Sequence, residues 1–204
     1  MQSIVEILAQ ELGQKQQYVE NVVNLIDEGN TIPFIARYRK EMHGAMDDTT
    51  LRNLETRLTY LRNLQQRRDE VKKSIENQGK LTQELSEAID AAATMTEVED
   101  LYRPYKQKRR TRGSIAREKG LDPLAQAIFA QDGQDIQELA KDFINEEKGV
   151  ATAEEAIAGA LDIIAENLSD DADIRKALRE LCSRRGSLVS KAADPEADTV
   201  YKLY

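Results

Sequence analysis

Apolar residues recur at spacings of three and four along nearly the whole chain, which is the period of a helix buried on one face. The longest stripe runs from about Asp48 to Gln78 and predicts one long helix that other helices must cover. Its apolar positions are Leu51, Leu54, Leu58, Leu61, Leu64, Val71 and Ile75. No segment alternates as a strand does. The pattern therefore predicts an all-α fold, a multi-helix module with one long central helix and no sheet.

Helix caps indicate where several of the shorter helices begin. Ser3 with Glu6, and Thr96 with Glu99, have the capping-box spacing. Ser114, in the segment RGSIAREK, is expected at the start of a short helix, where unpaired backbone amides can hold an anion.

The segment TIPFIARYRKEMHG predicts a helix that begins near Pro33 and closes at Gly44. Arg37 and Glu41 would then lie one turn apart and could form an ion pair. Arg37, Arg39 and Lys40 are candidates for a basic, nucleic-acid-binding face. In the alternative interpretation the segment is structural. Its apolar residues, expected in the core, are Ile32, Phe34, Ile35 and Tyr38.

Charge is distributed unevenly along the 204 residues, whose formal net charge is −8. Residues 1–130 hold 20 basic and 20 acidic side chains, whereas residues 131–204 hold 9 and 17. We therefore predict a helical core with the long helix and a basic loop in 1–130, and an acidic helical segment in 131–204. No apolar run approaches the ~18 residues that a membrane span needs.

A strongly basic stretch, LYRPYKQKRRTRGSIAREKG, begins at Leu101; from Arg103 to Lys119 it has eight Lys or Arg and one acid, Glu118. Such cations can neutralise phosphates, and tyrosines can stack on unpaired bases. The candidate nucleic-acid contacts here are Tyr102, Arg103, Tyr105, Lys106, Lys108, Arg109, Arg110, Arg112 and Arg117. In the alternative, the cations pair with acids of neighbouring helices, and Tyr102, Pro104 and Tyr105 fix a loop to the core.

Residues for catalysis or metal binding are scarce. The chain has one histidine, His43, and one cysteine, Cys182. We expect the Cys182 side chain to be half-buried and to have a structural role. It has no phosphate-binding glycine motif. The sequence therefore predicts no catalytic residues, no metal site, no cofactor and no enzymatic activity. A single cysteine excludes internal disulfides and fits a cytoplasmic protein.

Four long motifs resemble the N-terminal part of the bacterial Tex family of transcription accessory proteins. They are IPFIARYRKE, LRNLQQRRDEVKKSIENQGKLTQEL, EDLYRPYKQKRRTRGSIAREKGLDPLA and GALDIIAENLSDDADIRKALRE. The resemblance implies a cytoplasmic, RNA-binding protein much longer than this chain. It also implies that the chain stops before an RNase H-like domain, helix-hairpin-helix modules and an OB-fold RNA-binding domain.

From these observations we expect a non-enzymatic helical module that supports RNA or DNA binding by the full-length protein. The alternative is a structural or interdomain scaffold, or a module that docks a protein partner. The expected partners are nucleic acid, the missing C-terminal domains of the same chain, and the transcription or translation machinery.

Overall fold

A computed structural model of the chain describes residues 3–107, 109–192, 194, 197 and 200. These residues contain eleven α-helices, two short 3-10 helices (Arg103–Tyr105 and Glu146–Lys148) and no strand or sheet, which confirms the all-α prediction. None of the described helices is both long and apolar enough to cross a membrane. The α-helices are α1 (Ile4–Leu12), α2 (Gln16–Asp27), α3 (Ile32–Tyr38), α4 (Asp48–Glu76), α5 (Gln83–Ala91), α6 (Met95–Tyr102), α7 (Arg112–Glu118), α8 (Asp122–Ala130), α9 (Ile136–Lys141), α10 (Ala153–Asp170) and α11 (Ala172–Arg185).

The chain divides into two compact units, Met1–Tyr105 and Lys106–Tyr204. Each unit has its own hydrophobic core. The division falls inside the basic stretch, before residue 130, where the balance of charge changes. The two regions inferred from charge, 1–130 and 131–204, stay a prediction.

The predicted long helix is confirmed as α4, which organises the first unit. Asp47 caps its N-terminus by accepting a hydrogen bond from the Thr50 amide at 2.7 Å. Every apolar position of the predicted stripe is buried. The first half of the stripe packs with α1, α2 and α3, and the second half packs with α5 and α6. A single helix therefore joins two hydrophobic clusters.

In the second unit, α10 is the helix on which the others pack. Its small residues Ala156 and Ala160 and its Ile163 are buried against residues of α7, α8 and α9. Small side chains let helices approach closely. By contrast, α11 buries none of its residues.

Several local predictions from the sequence are wrong. Helix α3 ends at Tyr38, because Arg39 adopts φ −130° and ψ 33° and leaves the helical conformation, and Gly44 lies in a left-handed turn at φ +61°. The first helical residue of α7 is Arg112, with Thr111 as its cap, so Ser114 does not begin that helix. Cys182, predicted to be half-buried, is exposed, because it lies on α11, which buries none of its residues.

The capping box of α6 is also displaced from its predicted position. It is formed by Thr94 and Glu97, two residues before the predicted pair of Thr96 and Glu99. Both pairs have the Thr-x-x-Glu spacing. The earlier one is used because the Glu97 carboxylate accepts hydrogen bonds from two amides, those of Ala93 (2.7 Å) and Thr94 (3.2 Å).

Candidate nucleic-acid interface

The basic stretch takes three local forms. Its start, Arg103–Tyr105, is a 3-10 helix that follows α6 in the first unit. In the second unit, residues 106, 107 and 109–111 are irregular, and α7 follows them. Lys108, one of the candidate phosphate contacts, lies outside the described residues.

The two tyrosines of this stretch are held by the first unit. The hydroxyl oxygens of Tyr102 and Ser74 lie 3.0 Å apart, and the Arg67 guanidinium stands 5.5 Å from the centre of the Tyr102 ring. Tyr105 accepts a hydrogen bond from Gln78 Nε2 at its backbone carbonyl, at 3.0 Å. Both rings are half-buried against the cluster around α4. These contacts favour the interpretation in which the tyrosines fix a loop, and base stacking by them stays a prediction.

The remaining cations differ in how firmly they are held. Arg103, Lys106 and Arg109 are exposed. Arg110 Nη2 lies 2.6 Å from Glu118 Oε2, and Arg112 Nε lies 3.6 Å from Asp162 Oδ1. The side chains of Arg110 and Arg112 are nevertheless 68% and 87% exposed.

Ion pairs that are so exposed contribute little free energy, and salt screens them. The Arg110 and Arg112 guanidinium groups can therefore exchange a carboxylate for a phosphate at low cost. Arginine also forms two parallel hydrogen bonds to one phosphate, which lysine cannot do. This part of the stretch has the exposure and the chemistry of a phosphate-contacting surface.

Arg117 is held by other groups of the second unit. Its guanidinium donates to Glu166 Oε2 at 2.9 Å and to Asn167 Oδ1 at 2.6 Å. Asp122 Oδ1 lies 3.5 Å from its Nε. Glu166 is only 14% exposed, so it contributes a largely buried carboxylate to the pair. Arg117 therefore fits the alternative interpretation, in which the basic stretch forms contacts within the protein.

The second candidate group lies at the end of α3. Arg37, Arg39 and Lys40 are all exposed. Among the described residues Arg37 makes no ion pair with Glu41, because the helix ends before a further turn can bring them together. The predicted ion pair is therefore absent.

The apolar residues of α3 divide between two faces. Ile32 and Ile35 are buried, at 3% and 0% exposure, which confirms their predicted place in the core. The prediction is wrong for Phe34 and Tyr38, whose side chains are 36% and 62% exposed. Residues three or four apart share a helix face, so Ile32 and Ile35 lie on one face and Phe34 and Tyr38 lie on another. A helical wheel of these seven residues could have separated the two pairs.

Candidate metal ligands do not cluster in the part of the chain that the structure describes. No group of three or more His, Cys, Asp or Glu side chains there could hold a metal ion. His43 is 1% exposed and lies in the turn that contains Gly44.

Two family models match the chain. Residues 2–76 match the Tex-like protein N-terminal domain, and residues 131–203 match the Tex central region-like model. Helix α3 lies inside the first match. The basic stretch lies between the two.

Similar proteins occur in bacteria and in humans. Uncharacterized protein YdcI of Bacillus subtilis is 46% identical over 97% of this chain and 28% of its own length. Transcriptional accessory protein Tex of Neisseria gonorrhoeae is 46% identical over 87% of the chain and 23% of its own length. The human S1 RNA-binding domain-containing protein 1 is 29% identical over 89% of the chain and 18% of its own length. The chain thus spans less than a third of each of these relatives.

Proposed function

The chain belongs to the Tex family, and from that premise we propose that it is a non-enzymatic helical module of a transcription accessory protein. In this role it supports the binding of RNA or DNA by a longer protein. The observation that carries the proposal is the exposure of Arg109, Arg110 and Arg112 on one short segment. One relative is named a transcriptional accessory protein and another is named for an RNA-binding domain, and both names support it.

The surface acts through charge and not through base readout. Phosphate contacts by arginine are insensitive to sequence, and they release counterions. The chain is acidic as a whole, so long-range attraction to nucleic acid is weak. We therefore assign these arginines an auxiliary role, in which they hold nucleic acid that other parts of the longer protein also bind.

The test is fluorescence anisotropy of the chain with labelled single-stranded RNA and duplex DNA at several salt concentrations. The Arg109→Glu/Arg112→Glu variant is compared with the unaltered chain. Removal of one arginine that binds a phosphate is expected to reduce the log–log salt slope by about 1. We therefore expect weaker binding and a slope that is smaller by about 2 for both nucleic acids.

The matched control is Arg184→Glu/Arg185→Glu at the end of α11, which changes net charge by the same amount. It should leave the salt slope unchanged. If both double variants lower affinity equally, only net charge matters and the surface is not specific. Absence of binding by the unaltered chain at low salt would contradict the proposal.

Absence of catalysis and a cytoplasmic location are parts of the same proposal. Two features support them: the one histidine is buried, and the one cysteine lies in a chain that has no second cysteine for a disulfide. A nuclease assay on single-stranded RNA and duplex DNA checks the first part, and cleavage by the chain would refute it.

A second candidate function, an interdomain scaffold, is favoured by α11. Its apolar residues Ile174, Leu178 and Leu181 follow one face and are 36%, 54% and 49% exposed. An exposed stripe of this kind is typical of a helix that another surface covers. Because the relatives are more than three times as long as this chain, we propose that a further domain of a longer protein covers it.

This candidate has its own test, the Leu178→Asp/Leu181→Asp variant. In the chain alone it should leave the melting temperature nearly unchanged, because both side chains are already half-exposed. In the full-length protein it should lower the melting temperature or detach the module in limited proteolysis. An equal response in both forms would contradict the scaffold function.

A further inference from the structure

Helix α3 carries an aromatic pair on a face that is turned away from the core. The ring centres of Phe34 and Tyr38 are 5.2 Å apart and the ring planes are inclined by 45°. Tyr38 is 62% exposed although it belongs to a helix whose other face is fully buried. Large exposed aromatic side chains are typical of binding surfaces.

One cation contacts this pair, and two more are adjacent to it in sequence. The Arg39 guanidinium lies 5.4 Å from the centre of the Phe34 ring, and its Nη1 donates to the Tyr38 carbonyl at 3.3 Å. Arg37 and Lys40, which adjoin Tyr38 and Arg39 in sequence, are also exposed. Within the described part of the chain, none of these three cations forms an ion pair with a carboxylate. The segment 34–40 therefore presents two rings and three positive charges, and the first acid that follows in sequence is Glu41.

We propose that Phe34 and Tyr38 form a base-stacking platform for single-stranded nucleic acid, with Arg37, Arg39 and Lys40 contacting the phosphates. Exposed rings beside a basic surface are the combination with which proteins bind unpaired bases. In a duplex the base faces already stack on each other, so the rings have nothing to contact. The combination therefore selects single strands.

The helix that carries the platform is anchored to the core. Ile32 and Ile35 are buried in the cluster with α2 and α4, so they fix α3 from its inner face. Pro33 lies in the first turn of the helix and restricts its backbone. Because the backbone that carries the rings is packed on the core, stacking requires little backbone rearrangement.

This inference rests on the proposed nucleic-acid function but uses a surface of the first unit, whereas the basic stretch from Lys106 onward belongs to the second. The two proposals can therefore fail separately.

The chain contains no tryptophan, so a single introduced tryptophan reports on one position. Tyr38→Trp places the reporter on the platform. Phe129→Trp is the matched control, because Phe129 is also 62% exposed and belongs to the second unit.

In the first experiment, the probes are a uridine oligonucleotide and an RNA duplex. We expect the oligonucleotide to quench and shift the tryptophan emission of the Tyr38→Trp variant, and the duplex to leave it unchanged. The emission of the Phe129→Trp variant should not respond to either. Equal quenching in both variants, or quenching by the duplex alone, would overturn the platform.

In the second experiment, the Phe34→Ala/Tyr38→Ala variant is measured by anisotropy. Its affinity for the oligonucleotide should fall by about tenfold or more, and its affinity for the duplex by less than twofold. The helical content should stay close to that of the unaltered chain, and the melting temperature should fall only slightly, because Tyr38 is 62% and Phe34 36% exposed. These two readings separate the removal of the stacking rings from misfolding of the variant.

The outcomes distinguish the two proposals. If the unaltered chain binds RNA and the Arg109→Glu/Arg112→Glu variant loses affinity while the double-alanine variant does not, the platform is refuted and the proposed function stands. If the unaltered chain binds neither probe, both are refuted. If the double-alanine variant instead weakens association with another domain of the full-length protein and leaves RNA affinity intact, the surface is a protein interface and the platform is refuted.

Discussion

Arg117 of α7 donates a hydrogen bond to Glu166 of α10 at 2.9 Å, and this contact joins two helices of the second unit. The Thr111 hydroxyl donates to the same carboxylate at 3.2 Å. Asn167 provides a further acceptor for Arg117. One cation of the basic stretch thus satisfies a carboxylate that the unit largely buries, whereas Arg110 and Arg112 point into solvent.

Replacing Arg117 with methionine should therefore destabilise the second unit. The substitution keeps an apolar stem but leaves Glu166 partly buried without its main cationic partner. Because Arg117 is itself 35% exposed, we expect a modest loss, about 1–2 kcal/mol of unfolding free energy. Urea unfolding of the chain measures it. Arg110→Met is the control, because its pair with Glu118 is mostly exposed, and it should cause no measurable change. Equal losses of unfolding free energy for the two substitutions would show that the Arg117–Glu166 pair stabilises the unit no more than the exposed Arg110–Glu118 pair.

A methyl group at Gly113 is predicted to disturb the contact of α7 with α10, although the residue lies within a helix. A Cβ there would meet the Glu166 side chain and would stand 3.2 Å from the backbone carbonyl of Asp162. Alanine normally stabilises a helix relative to glycine by up to about 1 kcal/mol. Here overpacking should reverse the sign, and Gly113→Ala should cost about 1–3 kcal/mol.

Thermal unfolding checks the sign of this effect. Arg112→Ala, one residue earlier and 87% exposed, is the matched control that changes helix propensity without a steric contact. It should leave the melting temperature unchanged or slightly higher. A higher melting temperature for Gly113→Ala would show that α7 and α10 can separate enough to accept the methyl group.

The long helix could be predicted residue by residue because its signal repeats over many turns. Each of the positions from Leu51 to Ile75 in its stripe is buried. Each step of one residue turns a helix face by about 100°, so seven apolar positions in register define a single buried face. Such redundancy is absent from the short helices.

Helix α3 shows what the sequence could not determine. Its seven residues include apolar side chains on two different faces, and composition alone does not indicate which face the core covers. The structure buries Ile32 and Ile35 and exposes Phe34 and Tyr38. The sequence also could not show which cations of the basic stretch are paired, because Arg117 donates to Glu166 and Asn167, about fifty residues away. Tertiary packing, and not local pattern, decides which cations stay available.

The two possible capping boxes of α6 give a direct test of one local prediction. Thr94 accepts a hydrogen bond from the Glu97 amide at 3.2 Å, whereas Thr96 is an exposed residue inside the helix. Thr94→Ala should therefore cost about 0.5–2 kcal/mol. Thr96→Ala should be neutral or slightly stabilising, because alanine has the higher helix propensity. Chemical unfolding of both variants decides the matter, and a larger loss for Thr96→Ala would restore the sequence-based assignment.

Two ion pairs join α4 to the helices before it. Arg57 donates two hydrogen bonds to Glu11 of α1 at 2.7 Å each, and Arg62 donates two to Asp27 of α2 at 2.7 and 2.8 Å. The hydrogen bond from Arg57 lowers the pKa of Glu11, and the one from Arg62 lowers the pKa of Asp27. Desolvation opposes both shifts, and the nearby positive charge adds to them.

These lowered pKa values predict that stability falls on acidification. A carboxyl group whose pKa is lower in the folded state contributes its full stability above the unfolded-state pKa, about 4 for these groups. That contribution disappears as pH falls through the folded-state pKa. We therefore expect the unfolding free energy to decrease below about pH 5, by a small amount because all four side chains are 36–47% exposed.

Urea unfolding from pH 7 to pH 3 measures the slope of unfolding free energy against pH. Glu11→Gln/Asp27→Asn and Arg57→Met/Arg62→Met should both flatten it, because each removes one side of the same two pairs. If the arginine variant kept the full slope, other carboxylates would be responsible and the assignment to Glu11 and Asp27 would be wrong.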